Sequence, residues 1–467
     1  MNRFAFLAVL VSSFFGIAVH GSAQDSFDEY QDVAKKIIEA GSKQNDAYKK
    51  LIELCDDIGH RISGSESLNQ AVEWAKVTMK KDGQENVRSE TVMVGKWVRG
   101  NESCKLLHPK AKSMAMLGLG GSVATPPEGI TAEVVVVSNK EEFDKLDAAK
   151  VKGKIVLFNG AMPPYSETEG SGYGTAVQYR ASGAKWASEK GALAALVRSA
   201  TAYSLNSPHT GALRYGTAEV RIPAAAITIE DAEMLARFQA RGITPKVKLM
   251  MEAKDVGEVP SANVLAEIVG REKPEEIVVI GGHLDSWDVG QGAQDDGAGC
   301  VAAMEALNIL RKLNLRPRRT IRVVLWTDEE RGGAGANHYA ATHQNEIHVA
   351  GIESDSGGFT PKGLSLEMQD REAESRALER LKKMMPLLAP LGRMNAETGG
   401  SGADVGKLKP LGTACMGLEV DGRLYFNTHH THADTVDKVD PKQLGDCAIM
   451  LAVSSYLLAD MPEKIGK

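Results

Sequence analysis

Residues 277–300 read IVVIGGHLDSWDVGQGAQDDGAGC. The opening run Ile277-Val278-Val279-Ile280, with charge before it and glycine after it, is the pattern of a strand buried on both faces. It delivers His283 and Asp285 to its C-terminal end. A loop rich in Gly and Asp follows. Asp295 and Asp296 then precede Ala298, Val301, Ala302, Met304 and Leu307, whose spacing predicts a helix in which Cys300 is a small core residue. Ligands of open α/β sheets bind beyond the carboxyl ends of the strands. A histidine and several carboxylates at such an edge suit a metal or an acid–base site.

On either side of this stretch the pattern becomes an α/β alternation. Strands are predicted at 264–268, 277–280, 320–326, 349–353 and 412–419, and helices at 297–312, 333–345, 372–388 and 441–459, which makes a sheet with helices on both faces. Toward the N-terminus, helical periodicity covers 28–56 and a stretch ending near 79, and 87–94 alternates like a strand. Between residues 96 and 255 the character changes. Strands at 132–137, 153–158, 192–197 and 222–229 alternate with amphipathic stretches at 175–189 and 230–241, around a Gly/Tyr/Ser-rich loop at 163–174. No His/Asp/Glu constellation occurs there. The expected organisation is a main domain of 24–95 and 256–467 carrying an inserted α+β domain of 96–255 for shape or substrate access.

The 467 residues, 43% hydrophobic and 25% charged, are enough for two or three domains. A net charge of −6 with no basic block speaks against nucleic-acid binding. Arg3, the apolar run from Phe4 to Val19 and the small residues Gly21-Ser22-Ala23 form a secretory signal, with cleavage expected after Ala23 and a secreted or periplasmic product. The run is short for a bilayer span, and no later stretch is long and apolar enough, so no span is expected in the mature chain. Five cysteines match no zinc-finger spacing. Export permits one or two disulfides and leaves at least one thiol over.

Successive strand ends carry polar residues: His283 and Asp285, then Thr327-Asp328-Glu329-Glu330, then Glu353-Ser354-Asp355-Ser-Gly-Gly. Far downstream comes His429-His430-Thr431-His432-Ala433-Asp434-Thr435. Each alone has a plain reading: a charge complement to a helix dipole, a turn aspartate, a surface histidine cluster. Together they put several ligand-type residues along one sheet edge. The set Asp, Glu, Asp, His, His suits two zinc ions, which take imidazole and carboxylate. One carboxylate shared between them would hold the ions roughly 3.5–4 Å apart, as in two-metal hydrolases.

The segments GGHLDSWDVGQGAQDDGAG, WTDEERGG, ESDSGG and HHTHADT resemble those of the co-catalytic zinc aminopeptidase-type exopeptidases. The likeness extends over nearly the whole mature chain, including Arg61–Ser65, Ala124–Glu133 and Ser207–Gly211. The region around 152–157 resembles a protease-associated insert. By position, the resemblance implies a mixed, largely parallel sheet and two Zn2+ per chain. His283 and Asp355 would bind one zinc, Glu330 and His430 the other, and Asp295 would bridge them. Glu329 would be the general base, and the Asp285 carboxylate would hold the His283 ring. The implied reaction is hydrolysis of dipeptides or short peptides with free termini by a zinc-bridging hydroxide. Ser401, Asp404, His429 and His432 are weaker candidates for substrate contact, and the resemblance also implies a homodimer. A receptor-like binding protein and a single-zinc cyclase on a related fold are the competing readings. The presence of all five ligands and Glu329 weighs against the first, and metal stoichiometry separates the second.

Overall fold

The computed structural model describes residues 27–467, so the expected signal segment lies outside the described residues. Two eight-stranded sheets carry the chain. The first runs in the order Glu85–Val98, Lys254–Ile268, Arg319–Trp326, Lys273–His283, Ile347–Glu353, Ala414–Val420, Pro361–Glu367, Asn395–Thr398. Its four central strands, from Arg319–Trp326 to Ala414–Val420, pair in parallel, and antiparallel neighbours flank them on both sides. The sheet is therefore α/β and mixed with a parallel centre, as the alternation and the resemblance led one to expect.

Why 277–280 is apolar without alternation is visible in the layers. Val278 and Ile280 face a core shared with the helices Ala298–Lys312 and Pro441–Asp460. Ile277 and Val279 face the opposite core, where the helix Ala334–Thr342 contributes Ala336 and Tyr339. Helices on both faces leave no wet side, so both sets of side chains must be apolar.

The second sheet uses strands between Glu102 and Met251, in the order Lys112–Met114, Glu102–His108, Lys246–Met251, Ile130–Val137, Ile155–Phe158, Ala194–Arg198, Ala224–Ile227, Met116–Gly118. It has its own apolar clusters. The chain enters it from Glu85–Val98 and leaves it through Lys254–Ile268, two strands paired antiparallel from Glu85↔Glu267 to Val98↔Lys254. Trp287, from the metal-type loop of the first sheet, is buried in the second sheet's core. Gly120 makes room for it, since a Cβ there would lie 2.0 Å from the indole ring.

Several local expectations change. The helical region 28–56 is two helices, Gln31–Lys43 and Ala47–Ile52, followed by a wider turn at Glu53–Ile58. Asn45 breaks it by turning its carboxamide oxygen to the Ala47 N–H, 3.1 Å away. The strands Glu102–His108, Lys246–Met251, Pro361–Glu367 and Asn395–Thr398 are additions to the sequence reading. All five cysteines are buried free thiols, so the permitted disulfides do not form.

Candidate metal centre

Three adjacent parallel strands, Arg319–Trp326, Lys273–His283 and Ile347–Glu353, end at one sheet edge and present Glu329 and Glu330, His283, and Asp355. The turn before the helix Ala298–Lys312 adds Asp295, and the loop after Tyr425–Thr428 adds His430.

Asp295 lies at the middle. Its Oδ1 is 3.4 Å from His283 Nε2, which is also 3.4 Å from Asp355 Oδ1. Its Oδ2 is 3.1 Å from His430 Nε2, and that nitrogen is 3.1 Å from Glu330 Oε2. Two oxygens of one carboxylate thus face two separate histidine–carboxylate pairs. In tetrahedral coordination with bonds of about 2.0 Å, ligand atoms stand roughly 3.3 Å apart. The observed spacings match that edge length. Asp295 Oδ2 and Glu330 Oε1 are buried and have no hydrogen-bond partner, a costly state for a carboxylate unless a cation meets it. The donor set of imidazole and carboxylate fits zinc.

The electrostatics follow from this crowding. Burial works against charging His283, but Asp355 and Asp295 raise its pKa well above the usual imidazole value. His430 is raised in the same way, burial being outweighed by Glu330 and Asp295. Burial disfavours the Asp295 charge, yet the imidazoles of His283, His430 and His429 beside it hold it well below the ordinary carboxylate range. Glu329 goes the other way. Burial, opposed by His283 and reinforced by Asp355 and Glu330, pushes it well up. Glu329, with Glu330, Asp355 and His430, lines a cavity of about 990 Å³.

The family model of peptidase family M28 matches residues 263–454, the part that contains all these side chains. Carboxypeptidase Q of mouse (Mus musculus) is 42% identical over 99% of this chain and 99% of its own length. The chain belongs to peptidase family M28. Its similarity to carboxypeptidase Q extends through the second sheet as well as the first. A peptidase M28 precursor from Shewanella amazonensis superposes with a TM-score of 0.88 at 33% identity, covering 94% of this chain and 98% of that one. A zinc aminopeptidase from Bacillus subtilis shares the fold, with a TM-score of 0.63 at 19% identity over 90% of this chain and 96% of its own.

In this M28 peptidase the ring of His283 is oriented differently from expectation. Its Nδ1 meets the backbone carbonyl of Asp285 at 2.9 Å, whereas the Asp285 carboxylate is 3.9 Å away. That carboxylate instead accepts the N–H groups of Glu329 (3.1 Å) and Glu330 (3.3 Å) and the hydroxyl of Ser63 (3.2 Å). The chain turns back under the ring, so the peptide oxygen of Asp285 supports His283 and its side chain supports the Glu-Glu turn. Asp296 is a helix-start residue, accepting the N–H of Gly299 at 3.0 Å and that of His283 at 3.1 Å. Asp434 holds the loop that carries Asp295, accepting the N–H of Gln294 at 2.8 Å and that of Asp295 at 3.2 Å.

The weaker candidates divide. His429 lines the cavity, stacked on His430 with ring centroids 3.5 Å apart and surrounded by Tyr173, Tyr425 and Phe426. His432 is exposed and outside the cavity, whereas His429, His430 and Thr431 just before it are buried. Ser401 and Asp404 are also outside it. Ser401 Oγ donates to Glu367 at 2.7 Å, and the Asp404 N–H donates to Glu353 at 3.0 Å, while both Asp404 carboxylate oxygens are buried without a hydrogen-bond partner and burial, with Glu353 and Glu329 nearby, pushes that carboxyl well up.

Sequence reasoning passed over Trp287, whose indole N–H donates to Glu330 Oε2 at 2.5 Å, although it stands inside the quoted stretch. It also passed over Glu353, which accepts the N–H groups of Ala403, Asp404 and Val405 and is pushed up to about 8, mainly by burial. Thr210 of the second sheet's layer was another omission. Its N–H donates to the His430 carbonyl at 3.0 Å and its carbonyl lies 3.2 Å from His430 Nδ1. These contacts clamp His430 at φ +61°, a left-handed conformation uncommon outside glycine. The only sequence signal was the stretch Ser207–Gly211 within the resemblance.

Proposed function

We propose that this M28 peptidase is an exported two-zinc exopeptidase that hydrolyses dipeptides or short peptides with free termini. The carrying observation is Asp295, whose two oxygens face two histidine–carboxylate pairs at the spacing of tetrahedral ligand edges. In this reading His283 and Asp355 would hold one zinc and Glu330 and His430 the other, with Asp295 available to both. Three carboxylates offset most of the charge of two divalent cations, which keeps the net buried charge small. Bound there, zinc supplies Lewis-acid polarisation of the scissile carbonyl and lowers the pKa of water.

The chain's own residues do the rest. Glu329 takes a proton from the attacking water and hands it to the departing amine nitrogen. Asp285 keeps the Glu-Glu turn in register through the two backbone N–H groups it accepts. Trp287 fixes the Glu330 carboxylate, and Thr210 fixes the His430 ring. The second reaches in from the 96–255 segment, which we read as a protease-associated-like insert that shapes access to the cavity.

The test combines chemistry with metal content. Glu329→Gln should keep two zincs per chain and lose roughly 10²–10⁴-fold in kcat, the usual range for a general base. A variant that cleaves dipeptides at near the wild-type rate removes Glu329 from this role, and a fully active wild type with one zinc per chain removes the bridge. Export and self-association belong to the same reading. N-terminal sequencing of the mature protein should begin at Gln24, and sedimentation should give a homodimer.

A further inference from the structure

One imidazole in the wall of the ligand cavity has no use in the metal centre. The neighbouring ring, His430, is fully engaged. Its Nε2 faces Asp295 and Glu330, each at 3.1 Å. Its Nδ1 meets the Thr210 carbonyl at 3.2 Å and Arg180 Nη1 at 3.3 Å, the guanidinium filling the space that a Cβ on Gly211 would need. His429 lies face to face with that ring, 18° from parallel and with centroids 3.5 Å apart. Tyr173, Tyr425 and Phe426 pack around it, their ring centroids 5.2, 5.1 and 5.0 Å away. Among the described residues neither ring nitrogen of His429 makes a hydrogen bond, and the residue lines the cavity. Its Nε2 stands 3.6 Å from Asp295 Oδ2.

That distance decides what the nitrogen can do. Hydrogen bonds from a ring N–H to oxygen run from about 2.7 to 3.2 Å, so at 3.6 Å Asp295 does not hold the His429 ring. Aromatic packing holds it instead. The carboxylate still acts through its charge, and it favours the tautomer with the proton on Nε2, the nitrogen that faces it. A neutral imidazole carries one N–H in any case. Nor is a further ligand wanted on this side. Asp295, Glu330 and His430 already offer three ligand atoms, and a catalytic zinc site keeps an open position. His429 is therefore a rigid donor without an acceptor, beside the carboxylate oxygen around which the reaction would run. A donor fixed in advance costs no reorganisation when charge develops in front of it.

We propose that His429 is a further catalytic residue, whose Nε2–H donates to the oxygen of the scissile carbonyl as that oxygen becomes anionic. This rests on the exopeptidase reading above. When the oxygen of water bonds to the carbonyl carbon, the π pair moves onto the carbonyl oxygen. It returns when the C–N bond breaks, and Glu329 carries the proton to the amine. The His429 proton stays on the ring throughout.

The experiment uses the full zinc-loaded chain, a dipeptide substrate and a phosphinic dipeptide analogue whose tetrahedral P–O⁻ copies the charged oxygen. His429→Phe keeps a flat ring among Tyr173, Tyr425 and Phe426 and removes the N–H. It should lower kcat about 100-fold or more, as losing one oxyanion donor does, and leave KM within about threefold. Zinc content should equal that of wild type, and calorimetry should show phosphinate binding weakened by a factor similar to the loss in kcat. His429→Gln, whose carboxamide reaches the place of Nε2, should recover about tenfold in kcat over His429→Phe. A kcat for His429→Phe within threefold of wild type, a loss carried by KM alone, unchanged phosphinate affinity, or a Gln variant no better than Phe would each overturn the assignment. Loss of zinc from His429→Phe would overturn it too, by making the ring a ligand. A zinc-loaded wild type that neither cleaves the dipeptide nor binds the phosphinate removes the exopeptidase reading itself, which is a separate outcome.

Discussion

Asp434 offers a test of how the bridging ligand is positioned. Its carboxylate accepts two backbone N–H groups, those of Gln294 and Asp295, one on each oxygen. Asp434→Asn leaves one oxygen and places an NH2 against the other N–H. A buried N–H left unsatisfied costs about 1–3 kcal/mol. The loop can relieve that cost only by moving, and moving it displaces Asp295 from between His283 and His430. The same range, converted at about 1.4 kcal/mol per tenfold, is roughly 5- to 140-fold in zinc affinity, which brackets the roughly 10- to 100-fold usual on losing an outer support of a metal ligand. Global stability should barely change. Burial pushes the Asp434 carboxyl up to about 7 despite its two donors, so a neutral side chain relieves a desolvation cost. The Asp434 backbone bonds to Gln291 and Thr431 survive the substitution. Competition with a chromophoric chelator should show weaker zinc binding, and saturating zinc should restore most of the activity. Zinc affinity within threefold of wild type, in a folded variant, would refute this account of Asp295.

Three further outcomes follow from other parts of the molecule. Arg61 is fully buried and donates to the carbonyls of Gly59, Leu284, Gln291 and Gly292, so Arg61→Met should cost about 3 kcal/mol or more in urea unfolding, with a matching loss of zinc affinity. Removing metal with a chelator should lower Tm, and zinc at 100 times its Kd should return about 2.7 kcal/mol in calorimetry, because the ligand carboxylates crowd one another without it. Burial would raise the Glu346 carboxyl, but hydrogen bonds from His343 and Arg322 hold it down to about 2. Its contribution should be complete above the unfolded value near 4.3 and lost as pH falls through about 2. The urea midpoints of wild type and Glu346→Gln should therefore converge between pH 5 and pH 2, and a constant difference would contradict it.

The first sheet and the candidate residues along its edge were legible in the chain for one reason. A strand buried on both faces needs apolar side chains except where a buried charge is paired, so 277–280 stands out throughout and 320–326 does so around Arg322, which donates to Glu267 at 2.7 Å. Strands with a wet face were harder to read. Glu102–His108 buries only Cys104 and Leu106, and Asn395–Thr398 only Ala396. Asp285 shows a different limit. Its type and place were plain, but whether its carboxylate or its carbonyl supports His283 depends on where one peptide plane points.

What the amino-acid order alone determined is the set of groups at the sheet edge, because local pattern places His283, Glu329, Glu330 and Asp355 after strand ends, Asp295 before a helix and His430 in a downstream His-rich loop. The tertiary structure alone decided how they divide. It set the two oxygens of Asp295 toward different histidines, turned His429 inward and His432 outward, and left Ser401 and Asp404 behind the wall. It also brought Arg180 to His430 across 250 residues of sequence. That approach runs through the carbonyl of Thr210 and the missing side chain of Gly211. A backbone oxygen is the same in every residue, so no residue type announces it.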